Sequence, residues 1–192
     1  TEIGLPNVLL QLTNGSFQAL SANSGLYELY STAGSYSVSM PNVPLYHSLS
    51  TAPTQSAVFS GLGNVDSLNH FGLVPIPNMP DLRVTLTPLT APKAGYVLAY
   101  LLSYKNIGTV AQNATVYFTS PSGINFLSAS PVQSAQTGGN VEWQLGMLQP
   151  GQQGDIYVQY SIPVGTPIGF PLSSQAQITP IIGDLTINDN SS

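Results

Sequence analysis

The chain has 192 residues, room for one large or two small domains, with 42% hydrophobic residues for a core and only 6% charged. Ordinary globular proteins carry ~25% charged residues, so the solvent face here is built from Ser, Thr, Asn, Gln and Gly. Three basic residues against eight acidic, a net charge of −5, exclude a nucleic-acid partner and electrostatic docking on anionic lipid, since both need several Lys or Arg on one face.

No apolar run approaches the ~20 residues of a membrane-spanning helix, so no membrane span is expected. The absence of cysteine rules out a disulfide framework and thiolate metal sites. With 16 prolines, 18 glycines and no 3.6-residue apolar stripe, the sequence predicts many short strands and turns. The expected class is all-β.

The first unit is expected over residues 1–74. Val8, Leu10 and Leu12 alternate toward one face, and Asn14-Gly15 is the strongest two-residue hairpin signal in the chain. Residues 17–21 return, Asn23-Ser24-Gly25 turns, and a strand follows over 26–31. Gly34 opens another, in which Tyr36, Val38 and Met40 alternate until Pro41 and Pro44 stop it. After a polar loop, strands over 56–60 and 69–74 close the unit, with Phe71 and Leu73 inward.

Glu2, Gly4, Leu5, Val8, Leu10 and Leu12, then Gly25 and Tyr27, then Gly34, Tyr36 and Val38, form a pattern. It resembles the prealbumin-like B domains of bacterial adhesins, including the SdrD B-like group. In that family a strand and a calcium loop come first, with the glutamate that Glu2 matches as the loop's last ligand. The resemblance therefore implies a unit lacking its first strand, whose exposed edge is paired by a neighbouring molecule or by a segment outside this sequence.

Residues 75–80 are expected to be a linker. Pro75, Pro77 and Pro80 each fix φ, giving a short, stiff connector between units that share little interface. The second unit is expected over 81–192, with seven strands at 82–87, 97–104, 114–119, 126–130, 141–145, 155–162 and 172–179. The only tryptophan, Trp143, lies on the inward parity of its strand and is expected to fill the core among Leu102, Tyr104, Val116 and Val158.

Trp143, Leu145, Gly146, Leu148, Pro150 and Gly151 spell W-x-L-G-x-L-x-P-G. Asn106 and Gly108 precede it; Gly165, Thr166, Pro167, Asp184 and Asn190 follow. This set resembles the DUF11 domain, an immunoglobulin-like sandwich repeated along exported bacterial proteins. Together the two halves resemble tandem surface modules of Bacteroidota, which implies two β-sandwiches in a row, prealbumin-like and then immunoglobulin-like.

Few residues suggest chemistry. Asp66, Ser67 and His70 are near in sequence, but neighbours on one loop rarely hold a base and a nucleophile in register with an oxyanion hole. No enzyme and no catalytic residue are expected. Asp66-Ser67-Leu68 matches the short sequon that Bacteroidota use for O-glycosylation, making Ser67 the glycosylation candidate. The Asn-x-Ser/Thr sequons at Asn14, Asn113 and Asn190 would stay bare there.

Asp184, Asn188, Asp189 and Asn190 supply hard oxygens, and Asp81 lies at the other end of the same unit. With Glu2, Asp81, Asp184 and Asp189 are the candidate ligands for a metal, which would be calcium. The simpler reading, that they cap turns, is preferred, so no cofactor is expected. Tyr30, Tyr46, Tyr96 and Tyr117 fall off the core parity and are the candidate platforms for stacking a sugar.

The expected role is therefore that of a non-catalytic structural segment of a bacterial cell-surface adhesin, stalk or filament. Its location would be extracellular, and its partners neighbouring modules or copies of the same surface protein, with glycans as a further class. Two alternatives stand beside it. One is a carbohydrate-binding module of a secreted enzyme, which needs a row of exposed tyrosines on one sheet. The other is a filament subunit that polymerises by strand exchange.

Overall fold

The computed structural model describes residues 4–13 and 17–192. The expected Asn14-Gly15 turn and Glu2 lie outside the described residues. The fold is all-β: the described strands make four antiparallel sheets, joined by loops and one 3₁₀ turn at Ile187–Asp189. None of the described helices is long and apolar enough to cross a membrane. The chain divides into two compact units, Thr1–Ile76 and Pro77–Ser192.

In the first unit β1 (Leu9–Leu12), β2 (Gln18–Leu20), β3 (Gly34–Ser39) and β5 (Thr54–Phe59) form a sheet in the order β2-β1-β3-β5. A second sheet pairs β4 (His47–Leu49) with β6 (Leu73–Pro75). Alternation on β1 and β3 buries Leu10, Leu12 and Val38 as expected. One cluster gathers Val8, Leu10 and Met40, with Leu49 of β4 and Leu73 of β6 packed against it. A second gathers Leu12, Val38 and Ala57, and Tyr27, Leu29 and Phe71 border both. The unit is thus a small sandwich of four strands on two.

Two expectations for this unit are corrected. Among the described residues 26–31 join no ladder, although Tyr27 and Leu29 do face the core and the Tyr27 hydroxyl donates to the Asn69 carbonyl at 2.6 Å. Alternation reports which way side chains face; a strand also needs a neighbour for its N–H and C=O groups. Conversely, β4 falls inside the expected polar loop, because three residues are too few to show a period. The last strand is also shorter than 69–74, pairing only from Leu73 onward.

The ends of the proline-rich stretch are bonded locally. Pro75 pairs with His47 in β6, and the Ile76 amide donates to the Tyr46 carbonyl at 2.8 Å. The Met79 amide donates to Thr109 Oγ1 at 3.1 Å, and the Thr109 amide returns a bond to the Met79 carbonyl at 2.7 Å.

The second unit stacks two four-stranded sheets. One has the order β10-β13-β8-β7, with β7 Leu82–Pro88, β8 Val97–Asn106, β10 Asn125–Ser130 and β13 Gln153–Ser161. The other has the order β11-β12-β9-β14, with β9 Gln112–Thr119, β11 Ala135–Thr137, β12 Asn140–Leu148 and β14 Gln175–Thr179. Inward residues of both sheets interdigitate in one core. Leu98, Tyr100, Leu102, Ile156, Val158 and Tyr160 face Val116, Phe118, Val141, Trp143, Ala176 and Ile178. Phe118 bridges the sheets through ring contacts with Tyr100 at 5.2 Å and Tyr160 at 5.5 Å.

Trp143 is 2% exposed, in the same core as Leu102, Val116 and Val158, with Tyr104 packed at its border. Its Nε1 donates to the Pro131 carbonyl at 3.0 Å, so the one polar atom of the ring is satisfied inside.

The strand list of seven is corrected to eight. Ala135–Thr137 pairs with β12 across Gly138-Gly139, a two-residue glycine turn of the kind that closes a hairpin. β12 also runs three residues beyond the expected end at Leu145. A register shift between Gln144 and Gly146 marks a bulge, with Gly146 at φ 72°. The extra residue resets the two-residue period, which made one strand look finished.

Candidate functional site

The three carboxylates that the described residues bring together are Asp81, Asp184 and Asp189, each offering an oxygen within 4.8 Å of the others. Asp81 sits immediately before β7 and is fully buried. Its main-chain carbonyl accepts the Ile107 and Gly108 amides at 2.9 and 3.1 Å, which locks the start of β7 to the end of β8. That lock explains the Asn106-x-Gly108 pattern. Asn106, fully buried, donates Nδ2 to the Val110 and Leu148 carbonyls and accepts the Gly108 amide on Oδ1. A Cβ on Gly108 would collide with the Met79 carbonyl, so the close approach needs glycine.

Asp184 arrives from the other end of the unit. Its Oδ1 accepts the Thr186 amide at 2.9 Å, an Asx turn, and its Oδ2 accepts the Leu82 amide at 2.8 Å. Thr186 in turn donates Oγ1 to Asp81 Oδ2 at 3.1 Å. Asn190, 1% exposed, donates Nδ2 to the Leu82 carbonyl at 2.9 Å and to Asp184 Oδ2 at 3.1 Å. Asp189, on the 3₁₀ turn, is half-buried beside them. Burial lifts its carboxyl above the usual range, the charges of Asp81 and Asp184 push the same way, and Arg83 opposes them.

The tail carrying these residues closes one side of the sandwich. Its backbone pairs with β14: Ala176 and Ser192 exchange bonds at 2.8 and 3.0 Å, and the Ile178 amide donates to the Asn190 carbonyl at 2.8 Å. Its side chains meet β7, through Asn190 at Leu82 and through Ser192 Oγ, which accepts the Leu86 amide at 3.1 Å. One edge of each sheet, β7 in one and β14 in the other, is thereby covered by a single segment.

The other sequence candidates are scattered. Glu2 lies outside the described residues. Ser67 is exposed in a loop where Asp66 Oδ1 accepts the Leu68 amide at 3.0 Å. Asn188 is exposed and joins none of the bonds above. Tyr117 lies on β9 and the exposed Tyr157 on β13, in different sheets; Tyr96 stands under Lys93 Nζ, 4.1 Å from its ring centre; Tyr30 is in the first unit. The described exposed tyrosines thus make no row on one sheet. The sequence reading missed Thr186, which joins Asp81 to the tail. The Asp-x-Thr spacing of an Asx turn was the available signal.

No family model matches the chain, and no curated protein matches it. Among solved structures the chain is similar to the major pilin subunit of Bacillus cereus, at 13% identity and a TM-score of 0.37 over 100% of this chain. The chain spans 63% of that pilin subunit's length. It is also similar to a sporulation control protein of Bacillus subtilis, at 13% identity and a TM-score of 0.30, covering 51% of this chain and 42% of that one. A chitinase of Bacillus thuringiensis aligns at 14% identity and a TM-score of 0.30, covering 78% of this chain and 27% of that one. Scores this low carry no argument about function, and the fold described above rests on this chain's own strands.

Proposed function

We propose that the chain is a non-catalytic structural segment of a bacterial cell-surface protein, an adhesin, stalk or filament, whose units transmit tension. The SdrD B-like pattern of the first unit, the DUF11-like pattern of the second, an origin in Bacteroidota, an extracellular location and a glycan on Ser67 all belong to this reading.

The observation that carries it is the seam between β7, the tail and β14. Asn190 meets Leu82 and Ser192 meets Leu86, so the tail runs in the same direction as β7. Tension applied ahead of Leu82 and at Ser192 pulls these two segments oppositely along their length. The seam's hydrogen bonds then share the load in shear and must break nearly together, not one after another. The core behind the seam is built from non-local pairings, such as β8 with β13 and β9 with β14, so no short piece can peel away alone.

Single-molecule pulling across the second unit tests this. The expected record is one cooperative rupture, at a force lowered by Asn190→Ala and by Ser192→Ala, because forced unfolding follows the unfolding barrier. Gradual unravelling at low force, indifferent to both substitutions, would sink the reading.

A further inference from the structure

The geometry points to a divalent-cation site of the calcium class at Asp81, Asp184, Asp189 and Asn190, seated where the tail crosses the start of β7. Three carboxylate oxygens within 4.8 Å of one another are not a site by themselves. The second observation is Asn190. Its side chain is 1% exposed, and its Oδ1 is buried with no hydrogen-bond donor. The orientation of this amide is not arbitrary. Nδ2 faces two acceptors, the Leu82 carbonyl and Asp184 Oδ2, and turning the amide over would set oxygen against both.

Asn190 therefore holds a bare carbonyl oxygen beside the acidic cluster, against the rule that buried acceptors find donors. Asp189 repeats the feature, with a buried Oδ1 that no donor reaches. Acceptor oxygens of this kind, next to converging negative charge, are what a hard cation satisfies and what a proton donor in the chain does not. Calcium takes six to eight oxygens at 2.3–2.6 Å and tolerates irregular geometry, so oxygens on one ion stand up to about 5 Å apart. The cluster fits that sphere, with Asp189 half-exposed to admit water for the remaining positions. Asp184, whose oxygens already accept the Leu82 and Thr186 amides, adds charge and fixes the others in place. An ion there would tie the tail to β7 through bonds that do not depend on the hydrogen-bond seam.

This inference stands on the cluster alone and not on the tensile role; either can fail without the other. The test is calorimetric titration of the full chain, stripped with chelator, by CaCl₂ and separately by MgCl₂, with thermal unfolding in parallel. One Ca²⁺ is expected to bind at this cluster, raising Tm of the second unit by about 10 °C at a hundred times Kd. Asp189→Asn should abolish that shift while keeping native circular dichroism and Trp143 fluorescence. If this variant does not fold, NMR of the unaltered chain decides. Ca²⁺ should then shift the Asn190 side-chain amide and the Leu82 and Thr186 backbone amides before any other signals of the second unit. Absence of heat and of a Tm shift up to about 10 mM Ca²⁺ overturns the proposal, since extracellular sites bind at or below millimolar levels. A response to Mg²⁺ alone, a shift that survives Asp189→Asn, or stability that rises with acidification and ignores Ca²⁺ overturns it equally.

Discussion

Asn190 donates its side-chain nitrogen to the main-chain carbonyl of Leu82 at 2.9 Å, across 108 positions of chain. The same nitrogen reaches Asp184, so one buried amide joins the tail, the carboxylate cluster and the opening strand of the second unit. Asn190→Ala deletes both bonds and leaves the Leu82 carbonyl without that donor. The expected loss is about 2–4 kcal/mol, given that one bond is to a charged acceptor and that the orphaned carbonyl is buried. Urea unfolding, read at constant m-value, measures it.

Trp143 is buried in the hydrophobic core of the same unit. Trp143→Ala should cost ~3–5 kcal/mol, and Trp143→Phe distinctly less, because phenylalanine keeps most of the packed area and loses the bond to Pro131. Equal losses for the two variants in a denaturant series would mean that packing is not what the ring contributes.

Gly108 is a steric requirement and not a flexible point. A methyl group there would meet the Met79 carbonyl and the Asp81 amide, both backbone atoms that cannot swing away. Gly108→Ala is expected to destabilise the second unit by about 1–3 kcal/mol, the usual range for forced overpacking, and to spare the first. Hydrogen exchange resolves this, with lost protection expected at the Ile107 amide, which donates to Asp81.

The raised carboxyl of Asp189 sets a pH dependence in the absence of cation. Its folded pKa lies above its unfolded value of 3.8, so the native state holds the proton more tightly. Between those two values stability falls as pH rises, and above both the full cost of ionising Asp189 remains. Asp189→Asn should therefore stabilise the chelator-treated protein at neutral pH, an advantage that disappears as the pH is brought down through the folded pKa toward and below 3.8. A variant whose advantage stays constant across that range in thermal melts would exclude Asp189 as the titrating group.

Much of this molecule was legible in one dimension. Proline and glycine punctuation with two-residue alternation established an all-β chain, and the parity of 141–145 placed Trp143 inside, because facing is a local property that each strand writes in its own side chains. Pairing is not local. The sequence predicts a strand at 26–31, where side chains alternate but no ladder forms among the described residues; it leaves out β4 and β11, because three residues carry no period, and ends β12 at the bulge that resets its count. In the sequence the carboxylate cluster is legible only as Asp81 at one end of the unit and Asp184, Asn188, Asp189 and Asn190 at the other, with turn-capping the preferred account. Folding alone brings them within one ion's reach, because β7 and β14 become the facing edges of two sheets and the tail is laid between them. It also buries the Asn190 carbonyl oxygen without a donor, and that depends on tertiary burial, which no run of residues encodes by itself.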